Sequence, residues 1–171
     1  RIIPGLTESS KVRPVLLRDI TSKEESRIDL MDEELNRVLG GGLVKGSLVL
    51  IGGEPGIGKS TLVLQTVLGL TGLKTLYVSG EESSSQLKLR ADRLQHQNPD
   101  CFILCETNLE QIFVQASTIQ PDLVIIDSIQ TMFTEVVESS PGSVSQVREC
   151  SAAILKYAKE TGTPVLLIGH I

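Results

Sequence analysis

Tryptophan is missing from this chain of 171 residues, and its aromatic side chains are three phenylalanines and two tyrosines. Flat platforms on which a single-stranded nucleic acid could stack its bases are therefore scarce. Positive charge is also short: 16 lysines and arginines face 21 acids, for a net charge of −5. That argues against a surface coated with phosphate contacts, so any nucleic-acid site must be local, on one loop or one rim. There are three cysteines and two histidines, with no C-x-x-C pair. A four-ligand zinc site is not expected from such a set. Cys101 and Cys105 flank an apolar run and read as small core residues. No apolar run approaches the ~20 residues of a membrane helix, and no signal-peptide pattern follows Arg1. A soluble, cytoplasmic protein without a membrane partner is expected.

What is present fits one globular domain, with 40% apolar and 22% charged residues. Residues 1–26 are rich in Pro, Ser and charge. They read as a linker leading into a possible edge strand at Val15 to Leu17. Asp29 or Asp32 can cap a short helix carrying Leu35, Val38 and Leu39, which Gly40, Gly41 and Gly42 stop. Five short apolar runs follow, at 48–51, 75–78, 102–104, 123–126 and 165–168. Helical segments are expected between them at 59–70, 83–94, 108–119 and 144–161. Thr107 with Glu110 three residues on makes a capping box for the third. Val147, Ile154, Leu155 and Ala158 make an apolar stripe along the fourth. Apolar strands alternating with helices predict an α/β fold, a mostly parallel sheet covered on both faces.

The strongest motif is Gly53-Glu54-Pro55-Gly56-Ile57-Gly58-Lys59-Ser60, followed by Thr61. It matches G-x-x-x-x-G-K-[ST] between a strand and a helix, the context this phosphate-binding loop requires. Gly56 and Gly58 let backbone N–H groups turn toward phosphate oxygens, and the helix dipole adds positive potential there. Lys59 is placed to meet the β- and γ-phosphates, and the Ser60 hydroxyl to ligate Mg²⁺. Leu123-Val124-Ile125-Ile126-Asp127 is an apolar strand ending in an acid. Beside a P-loop, such an aspartate orients the water around Mg²⁺. The second strand ends Tyr77-Val78-Ser79-Gly80-Glu81-Glu82. Strand carboxyl ends face the ligand crevice in open α/β sheets, so Glu81 or Glu82 could take a proton from attacking water.

These segments resemble a known family. Leu39-Gly40-Gly41-Gly42-Leu43-Val44-Lys45-Gly46-Ser47 leading into the P-loop, and Tyr77 to Ser83, are similar to the bacterial RadA (Sms) proteins. So are Gln86-Leu87-Lys88-Leu89-Arg90-Ala91 and, most distinctively, Ser139-Ser140-Pro141-Gly142-Ser143-Val144-Ser145-Gln146-Val147-Arg148-Glu149. The similarity runs from about Ile28 to Ile171. It implies a RecA-like P-loop ATPase core that binds and hydrolyses ATP with Mg²⁺. It further implies hexameric rings that bind single-stranded or branched DNA and drive branch migration with the RecA recombinase in recombination and repair.

By the same resemblance Glu81 takes the place of the catalytic glutamate, and Asp127 with Ser128 that of the second nucleotide motif. His170 stands where RecA has a glutamine that senses the γ-phosphate. Residues 132–143 correspond to the first DNA-binding loop, with Ser139, Ser140, Gly142, Ser143 and Arg148 as expected contacts. The family's zinc finger, Lys-Asn-Arg-Phe-Gly motif and Lon-protease-like domain have no counterpart in this sequence. It therefore reads as the ATPase core alone: residues 1–26 as linker or edge and 27–171 as the domain. Such a core is expected to bind nucleotide but turn it over slowly by itself. Two other readings stay open: a RecA-like regulatory or signalling nucleotide switch, which shares the triple glycine, and a P-loop kinase. Glu81 at a water-polarising position speaks against the kinase.

Overall fold

A computed structural model of the chain describes residues 13–171. Five strands form one parallel sheet: β3 (Leu48–Gly53), β4 (Thr75–Ser79), β5 (Cys101–Cys105), β6 (Leu123–Asp127) and β7 (Val165–His170), in the spatial order β3-β7-β6-β4-β5. Each contains one of the expected apolar runs and extends one or two residues beyond it. A two-residue antiparallel pair, β1 (Arg27–Ile28) with β2 (Leu43–Val44), stands apart from this sheet. Parallel neighbours need crossovers, and helices supply them. They are α2 (Lys59–Gly69), α3 (Ser84–Arg93), α4 (Leu109–Ile119) and α5 (Val144–Thr161).

Alternation along the strands sorts the core into two layers. Leu76, Val78, Val124, Ile126, Val165 and Leu167 pack against α4 and α5 through Ile112, Ala116, Cys150, Ile154 and Ala158. Tyr77, Leu123, Ile125, Leu166 and Ile168 point the other way, onto Val63, Leu64 and Val67 of α2 and Leu87 of α3. The central strands β4 and β6 are buried along their whole length. The outer strands are not: Leu50 of β3 is 62% exposed and Phe102 of β5 44%. The two-sided cover expected from the sequence therefore holds for the middle of the sheet only.

Local chemistry explains most element ends. Asp32 caps α1 (Glu33–Val38) by accepting from the Leu35 N–H, while Asp29 accepts from Met31 and Asn36 just before it. Gly42 then has φ of +125°, and a Cβ there would lie 2.5 Å from the Ile28 carbonyl oxygen, so only glycine lets β2 return beside β1. Ser83 and Gln86 form a capping box on α3.

Several expectations need correction. Val15 to Leu17 form no edge strand. A 3₁₀ turn occupies Leu17–Asp19, and Val15, Leu16 and Leu17 are all exposed. Without a neighbour carrying free N–H and C=O groups, a short apolar run has no ladder to join. The other half of the linker reading, residues 1–12, lies outside the described residues. The cap of α4 is Asn108, which accepts from the Gln111 N–H, rather than Thr107. Glu110 instead reaches across to the Thr134 hydroxyl and the Glu135 N–H. Leu155 is 37% exposed; the buried stripe of α5 runs Gln146, Cys150, Ile154, Ala158 at intervals of four. Cys101 is half-buried and Cys105 exposed, because β5 is an outer strand. Cys150 is the core cysteine, and burial pushes its thiol up to about 11.

Candidate nucleotide site and the loop beside it

The strand order brings the carboxyl ends of β3, β7, β6 and β4 side by side. Those ends carry the P-loop, His170, Asp127 and Glu81 respectively. In an open parallel sheet this edge is the ligand crevice. The P-loop bends through Gly56 and Gly58, with φ of +83° and +95°, and Gly58 opens α2. Lys59 is buried and folds back into the loop. Its Nζ donates to the carbonyls of Gly53 at 2.7 Å and Glu54 at 2.6 Å. Ser60 and Thr61 follow on the first turn of α2.

Glu81 and Glu82 are separated by their partners. Glu82 pairs with Arg90 of α3 at 3.1 Å and so is drawn to that helix. The Glu81 Oε1 accepts from the Ser128 hydroxyl at 2.6 Å and lies 2.6 Å from the His170 Nε2. Burial raises the affinity of Glu81 for a proton. The hydrogen bonds from Ser128 and His170, with the charges of His170 and Lys59, outweigh burial and hold its carboxyl below the usual glutamate range. Glu81 is therefore a carboxylate at neutral pH. Both of its protein partners meet Oε1, which leaves Oε2 for a water. The contact with His170 requires a proton on Nε2, so that ring nitrogen donates.

Asp127 is fully buried. Its Oδ2 accepts from the Tyr77 hydroxyl at 2.7 Å, while its Oδ1 has no hydrogen-bond partner. Tyr77 sits on the adjacent strand, paired with Ile125 and pointing to the same face as Asp127. Burial first, and Asp127 second, push the Tyr77 phenol far above its ordinary value, so it stays a donor. An uncompensated buried carboxylate oxygen is costly, and a hydrated divalent cation is the natural complement to it. With the Ser60 hydroxyl close in sequence to Lys59, the donor set is the hard-oxygen kind that suits Mg²⁺. Among the described residues no cluster of three or more His, Cys, Asp or Glu competes as a metal site.

The loop at 132–143 is held from within. Gln146, buried on α5, donates through Nε2 to the carbonyls of Thr134, Val137 and Ser139 and accepts from the Thr134 N–H. Ser143 caps α5, and its hydroxyl also donates to Ser139, which lies 2.8 Å from the Ser145 hydroxyl. Ser139 and Ser143 thus use their hydroxyls inside the loop. Ser140, Gly142 and Arg148 face solvent. Sequence reasoning missed Tyr77, Gln130 and Gln146. Tyr77 could have been found, since a tyrosine inside an apolar strand must place its hydroxyl against a partner. The two glutamines carry no such sign.

A parallel sheet in this order, with a P-loop on one strand and acids at the ends of two others, defines a P-loop NTPase core of RecA-like fold. The chain belongs to the AAA domain family, whose model matches residues 13–171. It is 52% identical over 161 residues to the DNA repair protein RadA of Bacillus subtilis (strain 168), a match covering 93% of this chain and 35% of that protein. Identity to the DNA repair protein RadA of Streptococcus pneumoniae (strain ATCC BAA-255 / R6) is 48% over 162 residues, covering 94% of this chain and 39% of that one. The resemblance read from the motifs thus holds along nearly the whole described chain, which spans little more than a third of these relatives. Among solved structures, a KaiC-like protein from the hyperthermophilic archaeon Pyrococcus horikoshii OT3 aligns with a TM-score of 0.68. That alignment covers 86% of this chain and 71% of that one at 18% identity, a likeness of fold alone. No helix among the described residues is long and apolar enough to cross a membrane.

Proposed function

We propose that this chain is the motor core of a DNA-dependent ATPase acting in recombination and repair, in which Glu81 activates the water that cleaves ATP. The observation that carries the reading is the Glu81 carboxylate, fixed on one oxygen by Ser128 and His170 beside the P-loop lysine. ATP is the substrate, its phosphates wrapped by Gly53, Glu54, Pro55, Gly56, Ile57, Gly58, Lys59, Ser60 and Thr61. Lys59 exchanges its two carbonyl acceptors for oxygens of the β- and γ-phosphates, a trade of neutral acceptors for charged ones. Ser60 and Asp127 would hold Mg²⁺, which would neutralise charge on the β- and γ-phosphate oxygens. Tyr77 holds Asp127 through Oδ2, which leaves Oδ1 free to serve Mg²⁺ when that ion is bound. The attacking water gives one proton to Glu81 Oε2 as its oxygen bonds to the γ-phosphorus. The bond from that phosphorus to the β–γ bridging oxygen breaks, releasing ADP and phosphate. His170 holds Glu81 in place and reports whether the γ-phosphate is present.

DNA contact is assigned to the 132–143 loop, through Ser140 and Gly142 at its surface, and to Arg148 on the adjoining turns of α5. Ser139 and Ser143 set its shape. The homology to the RadA proteins further supports a ring of identical subunits, a hexamer, working on single-stranded or branched DNA with the RecA recombinase. Phosphate release by the full-length protein, measured with and without single-stranded DNA, tests the whole reading. ATP turnover that DNA accelerates is the expected result. Turnover indifferent to DNA favours a nucleotide switch, and no turnover removes the motor.

A further inference from the structure

The nucleotide site and the loop at 132–143 meet at one side chain. Gln130 lies on the 3₁₀ turn Ile129–Thr131 that follows Ser128, two residues before the loop begins. Its amide makes two hydrogen bonds to the backbone of a single residue of β7. Nε2 donates to the His170 carbonyl at 3.0 Å, and Oε1 accepts from the His170 N–H at 3.1 Å. The side chain thus acts as one more rung of sheet, closing the gap between β7 and the turn. The same turn packs against Gly80, the residue that follows β4. The Thr131 hydroxyl donates to the Ser128 carbonyl, and the turn presses so near Gly80 that a Cβ there would lie 2.1 Å from Thr131 Oγ1. Ser128 in turn donates to Glu81. A shift of this turn therefore moves both groups that fix Glu81 Oε1: Ser128 through the backbone and His170 through Gln130. On the other side the chain passes directly into the loop, where Phe133 donates to the Thr107 carbonyl and accepts from the Leu109 N–H.

We propose that Gln130 is a positioning residue that clamps the His170 backbone and thereby couples the 132–143 loop to the Glu81–His170 pair. The proposal rests on the reading of Glu81 as the water-activating base. It requires no contact between Gln130 and either nucleotide or DNA. A ligand that displaces the loop shifts the clamp, and the clamp shifts the ring that orients the base.

The test is made in the full-length protein with Gln130→Met and Gln130→Glu, alongside Glu81→Gln. Methionine keeps the length of the side chain and loses both hydrogen bonds. Nucleotide affinity, KM and oligonucleotide affinity are expected to stay within about twofold for Gln130→Met. Its kcat is expected to fall about 10- to 100-fold, the scale of a misplaced catalytic group, and acceleration by single-stranded DNA is expected to vanish. Gln130→Glu keeps the acceptor for the His170 N–H and lacks the donor while ionised. Protonation restores that donor, so the ratio of its turnover to that of Gln130→Met is expected to rise as pH falls toward ~5. A flat ratio, or Gln130→Met with normal kcat and normal DNA acceleration, overturns the proposal. Loss of nucleotide affinity in Gln130→Met also overturns it, since the role is then merely structural. A slow Glu81→Gln with a normal Gln130→Met sinks the clamp and leaves the base standing. A normal Glu81→Gln sinks both.

Discussion

Two loops leave the same edge of the sheet, and they are built in opposite ways. The P-loop gets its path from glycine conformations, and its lysine, Lys59, is held by carbonyls that a nucleotide can replace. The loop at 132–143 gets its path from Gln146, a neutral side chain that meets four backbone groups, and from serines bonded to one another. The first is a fixed track with a movable cation; the second is a preformed arch whose surface remains available. Their energetics follow. Each contact to Lys59 is charge-assisted and can be remade with phosphate. Those to Gln146 are internal, and losing them leaves buried polar groups unpaired.

The contrast is broken most severely by Lys59→Ala. Removing two charge-assisted donors forfeits on the order of 1.5–3 kcal/mol each. Affinity for a fluorescent ATP analogue is expected to fall by at least about 100-fold. The fold should survive, because the lysine's partners face the crevice and not the core. Unchanged affinity and turnover would remove the P-loop assignment.

Glu81→Gln comes next. Nucleotide stays bound while hydrolysis slows by about 10²–10⁴-fold, the usual worth of a positioned base. Glu82→Gln loses only its pairing with Arg90 and should turn over normally; the reverse outcome identifies Glu82 as the base. The pH dependence carries a sign. Glu81 is held below the ordinary glutamate value of ~4.3, so it remains a carboxylate until pH falls through that lowered value. Its contribution to stability is present above the unfolded value and lost on the same descent. Ser128→Ala deletes one of the hydrogen bonds that lower it. The acid limb of the kcat profile should therefore move to higher pH in Ser128→Ala, and an unmoved limb would count against Glu81 as the titrating base.

The same contrast shows what a sequence makes readable. The P-loop stood out because function there fixes residue identity: a backbone turned toward phosphate needs glycine at set positions, and a cation must follow. The parallel sheet stood out because buried strands are apolar runs with helices between them. What stayed hidden depends on who sits next to whom. Cys101 and Cys105 flank apolar residues as core cysteines do, yet β5 is an outer strand, and strand order is not written in any local pattern. Leu155 lies one residue from the true stripe of α5, an error of about 100° around a helix. Glu81 could not be told from Glu82 by position; what separates them is Arg90, which pairs with the second. Gln130 and Gln146 look like any surface glutamine until the carbonyls they meet are in place.

On the loop itself, Gln146→Ala leaves three carbonyls and one N–H without their partner. A loss of about 1–3 kcal/mol is expected for the first such buried group left bare, and water admitted to the arch limits the rest. Thermal melting should show the destabilisation, while ATP affinity stays near normal because the P-loop shares no bond with Gln146. If the loop is a DNA contact, single-strand affinity should fall with it. An intact melting point would mean the arch holds without its glutamine.

Arg148→Ala should have the smallest effect and gives the sharpest reading of what the loop touches. The side chain is exposed on the first turns of α5, close in sequence to an arch whose own charged residues are Glu135 and Glu138. With a net charge of −5 over the chain, no general attraction draws DNA here, so a single cation at the rim should be visible in the salt dependence. Each phosphate neutralised by a protein contact on a single strand contributes about 0.7 to the slope of log affinity against log salt. Arg148→Ala in the full-length protein should lower that slope by about this amount and weaken binding at low salt more than at high salt. Nucleotide affinity should not change, because the nucleotide residues lie in the P-loop, on the first turn of α2 and at the carboxyl ends of β4, β6 and β7, and none is on α5. A slope equal to that of the unaltered protein, at equal affinity, would take Arg148 out of the interface. It would leave Ser140, Gly142 and the loop backbone as the contacts to test, since those bind without releasing a counterion and cannot be read from the salt slope.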